Sequence, residues 1–238
     1  MDTTNLNLLI PDKPDVERDA IAKSFEQSGG TFHRLARFWD PPQFDPSTVR
    51  VYGPDAFCLV LQQKLALTLC SPNDDLLLRV QPQFLNRQLN SSSLGEISSA
   101  TLPKFIKPVV PKQFRAALYD SSDILAAECR GFPPSTQVFV SEPVTFSAEA
   151  RAFVLDGLVL DAAVYEGPSE TTGARQFVEA LARSITLPRT VVVDVGLLDG
   201  RSWSVIEFNA SWGAGLNGCE ADKVLPAIVA ASCPTPVS

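Results

Sequence analysis

Apolar positions follow two periods along the chain, and the balance between them changes near residue 102. "LNLLI" (6–10) is a short apolar run that predicts a strand. Val16, Ala20, Ile21 and Phe25 then recur at helical spacing and predict a helix over 15–28, which Gly29 and Gly30 end. "TFHRLA" and "VRVYG" predict two more strands, and "DAFCLVLQQKLAL" predicts a helix. Residues 1 to about 72 therefore alternate β and α, the order of a small unit with parallel strands. Residues 72–102 are polar, contain a serine run, and predict a connector with a short helix or two.

Beyond Leu102 short runs rich in Val, Phe and Ile alternate with turn residues. "KFIKPVV", "QVFVSEPV", "EARAFVLDG", "LVLDAAVYEG", "TVVVDVGLL" and "RSWSVIEF" all predict strands. Helices are expected around "SSDILAAECR", from Gly173 to Ile185, and over "ADKVLPAIVAAS". The expected class is α/β (α+β). No internal repeat or low-complexity tract interrupts it.

The pattern becomes chemical at "TVVVDVGLLDGRSWSVIEFN", where Asp199-Gly200 between two β-rich arms predicts a hairpin. A two-residue turn there sets Asp194 opposite Val205 and Val192 opposite Glu207. Strand alternation then places Asp194, Val205, Glu207 and Asn209 on one face. Two carboxylates and an amide oxygen are hard donors suited to magnesium. Two readings stand: a solvated sheet face on which acids happen to fall, or a site holding a cation. Trp203, Phe208 and Trp212 beside these acids favour the second, because an ionised glutamate in apolar company needs a cationic partner. Gly213 and Gly215 let the backbone approach something closely.

Composition removes several alternatives. Twenty basic against 27 acidic residues leave a formal charge of −7, without the basic footprint of a nucleic-acid or anionic-membrane partner. No apolar run approaches the roughly 20 residues of a membrane-spanning helix, and "MDTTNLNLLIPDKPD" lacks the features of a signal peptide, so a cytoplasmic setting is expected. Five scattered cysteines without a C-x-x-C pair argue for reduced structural thiols rather than disulfides or zinc. His33 is the single histidine and is expected to be structural, which disfavours histidine-based nucleophilic catalysis. None of these features sets an oligomeric state.

"FIKP" (105–108), "VSEPVTFSAEARAFVLDG" (140–157) and "VVVDVGLLDGRSWSVIEFNASWGAGLNGCE" (191–220), in that order, resemble the ATP-grasp superfamily, and more narrowly a compact group of uncharacterised bacterial ATP-grasp domains. The resemblance implies an ATP-grasp fold with the nucleotide between two strand-rich lobes. It implies a small leading α/β lobe over 1–85 on the substrate side and an ATP-grasp domain over 86–238. That domain would comprise a lid-like part (about 102–147) and a metal-binding part (about 148–238). By position, Lys107 matches the strand lysine that reaches nucleotide phosphates, its alternative being an exposed strand lysine. Glu142, Pro143 and Val144 match the hinge that meets adenine, and Glu149 matches the acid that holds ribose hydroxyls.

Asp194, Glu207 and Asn209 match the Mg²⁺ ligands of the superfamily. Arg151 is implied as a phosphate contact, against a local ion pair with Glu149. The segment "VVPKQF" after Lys107 lacks the glycines usual in the superfamily, so Lys112 is expected to take the part of that loop. Val192 stands where many relatives carry an arginine, which leaves Arg151, or Arg87 from the connector, to stabilise the transferred phosphoryl group. The implied reaction is ATP- and Mg²⁺-dependent joining of a small-molecule or peptide carboxylate to an amine through an acyl phosphate, releasing ADP and phosphate. A phosphotransferase using the same cleft and a nucleotide-binding module without turnover are the alternatives.

Overall fold

The computed structural model describes residues 3–168, 170–199 and 202–236. The leading part forms β1 (Asn7–Pro11), α1 (Val16–Gln27), β2 (Thr31–Leu35), β3 (Val49–Val51), α2 (Asp55–Lys64) and β4 (Leu67–Leu69). β2, β1 and β3 make a parallel sheet in that order, as the alternation of β and α predicts. Asp15 caps α1 by accepting from Arg18 N–H. α2 stops at Lys64, earlier than its apolar pattern suggests; Ala66 turns left-handed (φ 49°) and the next three residues pair with β13 (Ser232–Pro234). Leu67-Thr68-Leu69 fits either a helix or a strand, and the distant partner decides.

The supposed connector holds more structure than its polarity indicates. A 3₁₀ turn (Leu76–Arg79) and α3 (Pro82–Leu85) precede β5 (Leu89–Ser93), a strand built from the serine run. β5 lies at one edge of the antiparallel sheet β5-β8-β6-β7, formed with β6 (Lys104–Pro108), β7 (Ala117–Tyr119) and β8 (Gln137–Ser141). Serines have weak strand propensity, but β8 supplies the ladder. β7 was hidden in sequence by its three-residue length. α4 (Ser122–Glu128) is capped by Ser121, and Leu125 joins Ile106, Phe114, Tyr119 and Val138 in a separate core.

The remaining chain gives β9 (Phe146–Leu155), β10 (Leu158–Glu166), α5 (Thr171–Ser184), β11 (Thr190–Leu198), β12 (Ser202–Asn209) and α6 (Ala221–Ala230). The sheet order is β10-β9-β11-β12. One core joins Leu8, Ile10 and Phe25 to Phe153, Val192, Val224 and Ile228. Contacts divide the chain into two compact units, one of residues 1–72, 148–195 and 207–238, the other of 73–147 and 196–206. This partition differs from a break at residue 85, because the leading parallel sheet shares its core with β9, β11 and α6. His33 is tied to Asn7 Oδ1 at 2.9 Å and stands edge-on to Phe44, a structural role. All five cysteines are free thiols, and no described helix is long and apolar enough to cross a membrane.

Candidate active site

In the first unit, one sheet face changes character along its strands. Phe153 of β9 and Val192 of β11 lie in the apolar core, and two residues along each strand the same faces carry Arg151 and Asp194. Arg151 grips Asp194 with both arms of its guanidinium: Nε to Oδ1 at 2.7 Å and Nη2 to Oδ2 at 2.7 Å. Their side chains keep only 11% and 4% of their exposure. Asn209 Nδ2 donates to Asp194 Oδ2 at 3.0 Å and to Glu207 Oε1 at 3.1 Å, so one amide joins the two carboxylates. The expectation that Asp194, Glu207 and Asn209 share a face is met.

The pairing deduced from a two-residue turn is corrected. Setting Asp194 opposite Val205 would put Asn209 four residues away along the strand, roughly 13 Å, too far for the observed 3.0 Å contact. Thr190 and Ser211 also touch through their hydroxyls at 2.7 Å, so the strands pair further along, toward Glu207 and Asn209. An even shift in register keeps every side chain on its face. Asp199 has a left-handed φ of 50°; Gly200, its partner in the expected turn, lies outside the described residues.

The cation that the acids require within the protein itself is thus Arg151. It does not pair with Glu149; Glu149 instead accepts from Tyr165 Oη at 2.7 Å. A register irregularity between Val164 and Glu166 opposite β9 re-aims this tyrosine. Burial, the bond to Glu149 and the charge of Asp194 push the Tyr165 phenol up. Tyr165 had no signal in the sequence beyond a strand-end position. Burial disfavours the charged Arg151, but the hydrogen bonds and charge of Asp194 outweigh it and raise its pKa, so it stays cationic.

The loop after Asn209 completes the cluster. Arg151 Nη1 donates to Gly215 O at 2.8 Å, and Tyr52 Oη donates to Ala214 O at 2.8 Å. Glu17 of α1 accepts from Leu216 N–H at 2.9 Å and Asn217 N–H at 2.8 Å. A Cβ at Gly215 would stand 2.5 Å from Glu17 Oε2, which accounts for one of the two glycines singled out in sequence. At Gly213 the nearest atoms lie at 3.6 Å, and no such demand exists. Glu17 itself reads in sequence only as an acid in a helix's first turn.

The second unit holds the other expected positions. Lys107 is half-buried on β6 opposite Phe139 of β8. Glu142, Pro143 and Val144 follow β8 in irregular backbone, and Glu142 Oε1 accepts from Gln88 N–H at 2.9 Å. Lys112 is exposed, with a left-handed φ of 66° in the turn after β6. Arg87 is committed elsewhere: its Nη1 donates to Ser204 Oγ at 2.6 Å and to Val205 O at 2.7 Å, its plane lies over Phe146, and burial lowers its pKa.

A family model described as an ATP-grasp domain, the second family of its clade, matches residues 84–227, more than half of the chain. The chain belongs to this ATP-grasp family. The structures of ATP-grasp proteins agree in fold. A RimK domain ATP-grasp protein from Sphaerobacter thermophilus DSM 20745 is 14% identical, with a TM-score of 0.63 over 93% of this chain and 99% of that one. D-cycloserine synthetase DcsG is 14% identical, with a TM-score of 0.61 over 94% and 99%. The ATP-grasp ligase PsnB, in complexes with precursor peptide PsnA2 and AMPPNP and with minimal precursor, Mg and ADP, is 15% identical, with a TM-score of 0.55 over 97% and 98%. No curated protein sequence matches.

As an ATP-grasp protein the chain has a donor set that can be tested against magnesium. Asp194, Glu207 and Asn209 gather two carboxylates and one amide, residue types whose oxygens suit a cation that keeps waters or phosphate oxygens in its shell, with the amide nitrogen turned toward both acids here. No group of three or more His, Cys, Asp or Glu lies together among the described residues, so a third protein ligand for such a cation would have to come from an amide such as that of Asn209. The set fits.

Proposed function

We propose that the chain is an ATP- and Mg²⁺-dependent ligase that joins a carboxylate to an amine through an acyl phosphate, releasing ADP and phosphate. The carrying observation is the Asp194–Asn209–Glu207 cluster with Arg151 in a chain of the ATP-grasp family. The complexes of PsnB with AMPPNP and with Mg and ADP support the choice of nucleotide and metal. The peptide in that complex supports a peptide or small-molecule carboxylate as substrate.

In this reading Asp194, Glu207 and the Asn209 amide oxygen hold magnesium, which supplies positive charge to the phosphate oxygens. Lys107 carries a compact ammonium for the phosphates, and Lys112 adds a second one where the loop has no glycine. Glu142, Pro143 and Val144 meet the adenine, and Glu149 meets the ribose. Arg151 is held by Asp194 and Gly215, so it would need no reorganisation to present its charge to a developing phosphoryl oxygen. No protein nucleophile is needed, in keeping with a structural His33.

A second reading, nucleotide binding without turnover, is favoured by the full engagement of Asp194 with Arg151. Isothermal titration with Mg-AMPPNP, followed by an ADP-release screen across amino acids and peptides, separates the two. Carboxylate- and amine-dependent ADP release that disappears in Glu207→Ala supports the ligase. Tight binding with no turnover on any acceptor supports the binding module. Phosphate appearing on an alcohol acceptor would point to a phosphotransferase.

A further inference from the structure

The peptide unit between Gly215 and Leu216 has an ion at each end. Its C=O accepts from Arg151 Nη1 at 2.8 Å, and its N–H donates to Glu17 Oε2 at 2.9 Å. Negative charge thus meets the N–H, positive charge meets the C=O, and the peptide dipole lies favourably in both fields. The series continues through Arg151 to Asp194, giving carboxylate, peptide, guanidinium, carboxylate in sequence. Hydrogen bonds in such a chain polarise and strengthen one another.

A glycine at 215 serves this arrangement in two ways. It lets Glu17 Oε2 approach to where a Cβ would stand at 2.5 Å. It also leaves the backbone free to rotate, so the orientation of the peptide is not fixed by sterics. The charges at its two ends select the orientation in which Gly215 O faces Arg151. Tyr52, holding Ala214 O, keeps the loop in place but does not determine which way the next carbonyl points.

We infer that Glu17 is a positioning residue: acting through the Gly215–Leu216 peptide, it orients Arg151 and so the Arg151–Asp194 pair. The contacts stand on their own geometry, whereas their importance for phosphoryl transfer rests on the ligase reading above. Glu17 adds to that reading a residue from the first turn of α1, outside the matched family segment.

The test reads Arg151 directly. Solvent exchange of its guanidinium protons is followed by ¹⁵N NMR, with the signals identified by their loss in Arg151→Lys. Glu17→Ala is expected to speed that exchange about tenfold, the scale of one lost charge-assisted hydrogen bond. Glu17→Gln, which keeps one acceptor oxygen, is expected to fall between it and the natural protein and serves if the alanine variant fails to fold. Asp161→Asn is the control, because Asp161 holds Glu220 N–H at the far end of the same loop without touching the Gly215–Leu216 peptide. It should leave Arg151 exchange unchanged.

Unaltered exchange in both Glu17 variants, or an equal rise in Asp161→Asn, would overturn the inference. Mg-AMPPNP affinity, measured alongside, is expected to weaken several-fold in Glu17→Ala. Absence of nucleotide binding by the natural protein would count against the ligase reading alone, since the exchange comparison needs no nucleotide.

Discussion

Two arginine–aspartate pairs in the first unit differ in almost everything except their chemistry. Arg151 and Asp194 retain 11% and 4% of their side-chain exposure and meet through two bonds of 2.7 Å. Arg189 and Asp156 retain 66% and 60% and approach to 3.5 Å through one nitrogen. The exposed pair is screened by water and loses side-chain freedom for little gain. The buried pair is held by its surroundings, with Gly215 O and the Asn209 amide taking further hydrogen bonds. A buried pair of this kind is no guarantee of net stability, because desolvation opposes it; its hallmark is that neither partner can be removed alone. Such a pair marks where charge is held ready, and an exposed pair does not.

Arg151→Ala should destabilise the fold by about 3–5 kcal/mol in chemical denaturation, since it strands the Asp194 carboxylate; a loss below about 1 kcal/mol would erase the distinction. Glu207→Ala should leave the fold largely intact and lower Mg-dependent turnover by about 10²-fold, the scale of one lost electrostatic stabiliser. Full turnover in that variant would remove Glu207 from the proposed metal site. Gly215→Ala should push the Glu17 carboxylate off the Leu216 amide and cost about 1 kcal/mol, the scale of one lost hydrogen bond, and thermal melting with and without Glu17→Ala reads whether the two changes offset.

Smaller effects sharpen the contrast. The Cys219 thiol donates to Arg151 O and is pushed up to about 12, chiefly by burial. It should react far more slowly with a thiol reagent at pH 8 than exposed Cys233, and peptide mapping of the labelled protein distinguishes them. Arg189→Ala should shift stability by about 0.5 kcal/mol or less. A larger loss in the melting curve would mean that the exposed pair is more than a surface contact.

Much of the fold was legible because local periods were strong. The helix over 15–28, the parallel β/α opening and the strand arms around Asp194 and Glu207 all follow from spacing in the sequence. The serine-built β5, the three-residue β7 and the pairing of β4 with β13 were not legible, because their partners lie far along the chain and supply the ladder that propensity lacks. The acids were visible as an anomaly: charge inside an apolar hairpin. Their cation was not visible as such, since Arg151 stands 43 residues before Asp194 and had a nearer acid, Glu149, with which to pair in sequence.

From its own order of residues the chain determined the faces. A period of two puts Glu207 and Asn209 on one side of their strand, and Asp194 of the neighbouring strand shares that side under any register that differs by an even number of residues. Tertiary structure alone decided the partners: Arg151 for Asp194, Tyr165 for Glu149, and Glu17 for the Leu216 and Asn217 amides. The physical reason is range. Alternation is a property of neighbouring dihedral angles, whereas a hydrogen bond between distant residues exists only once sheet order and loop path have brought donor and acceptor within about 3 Å.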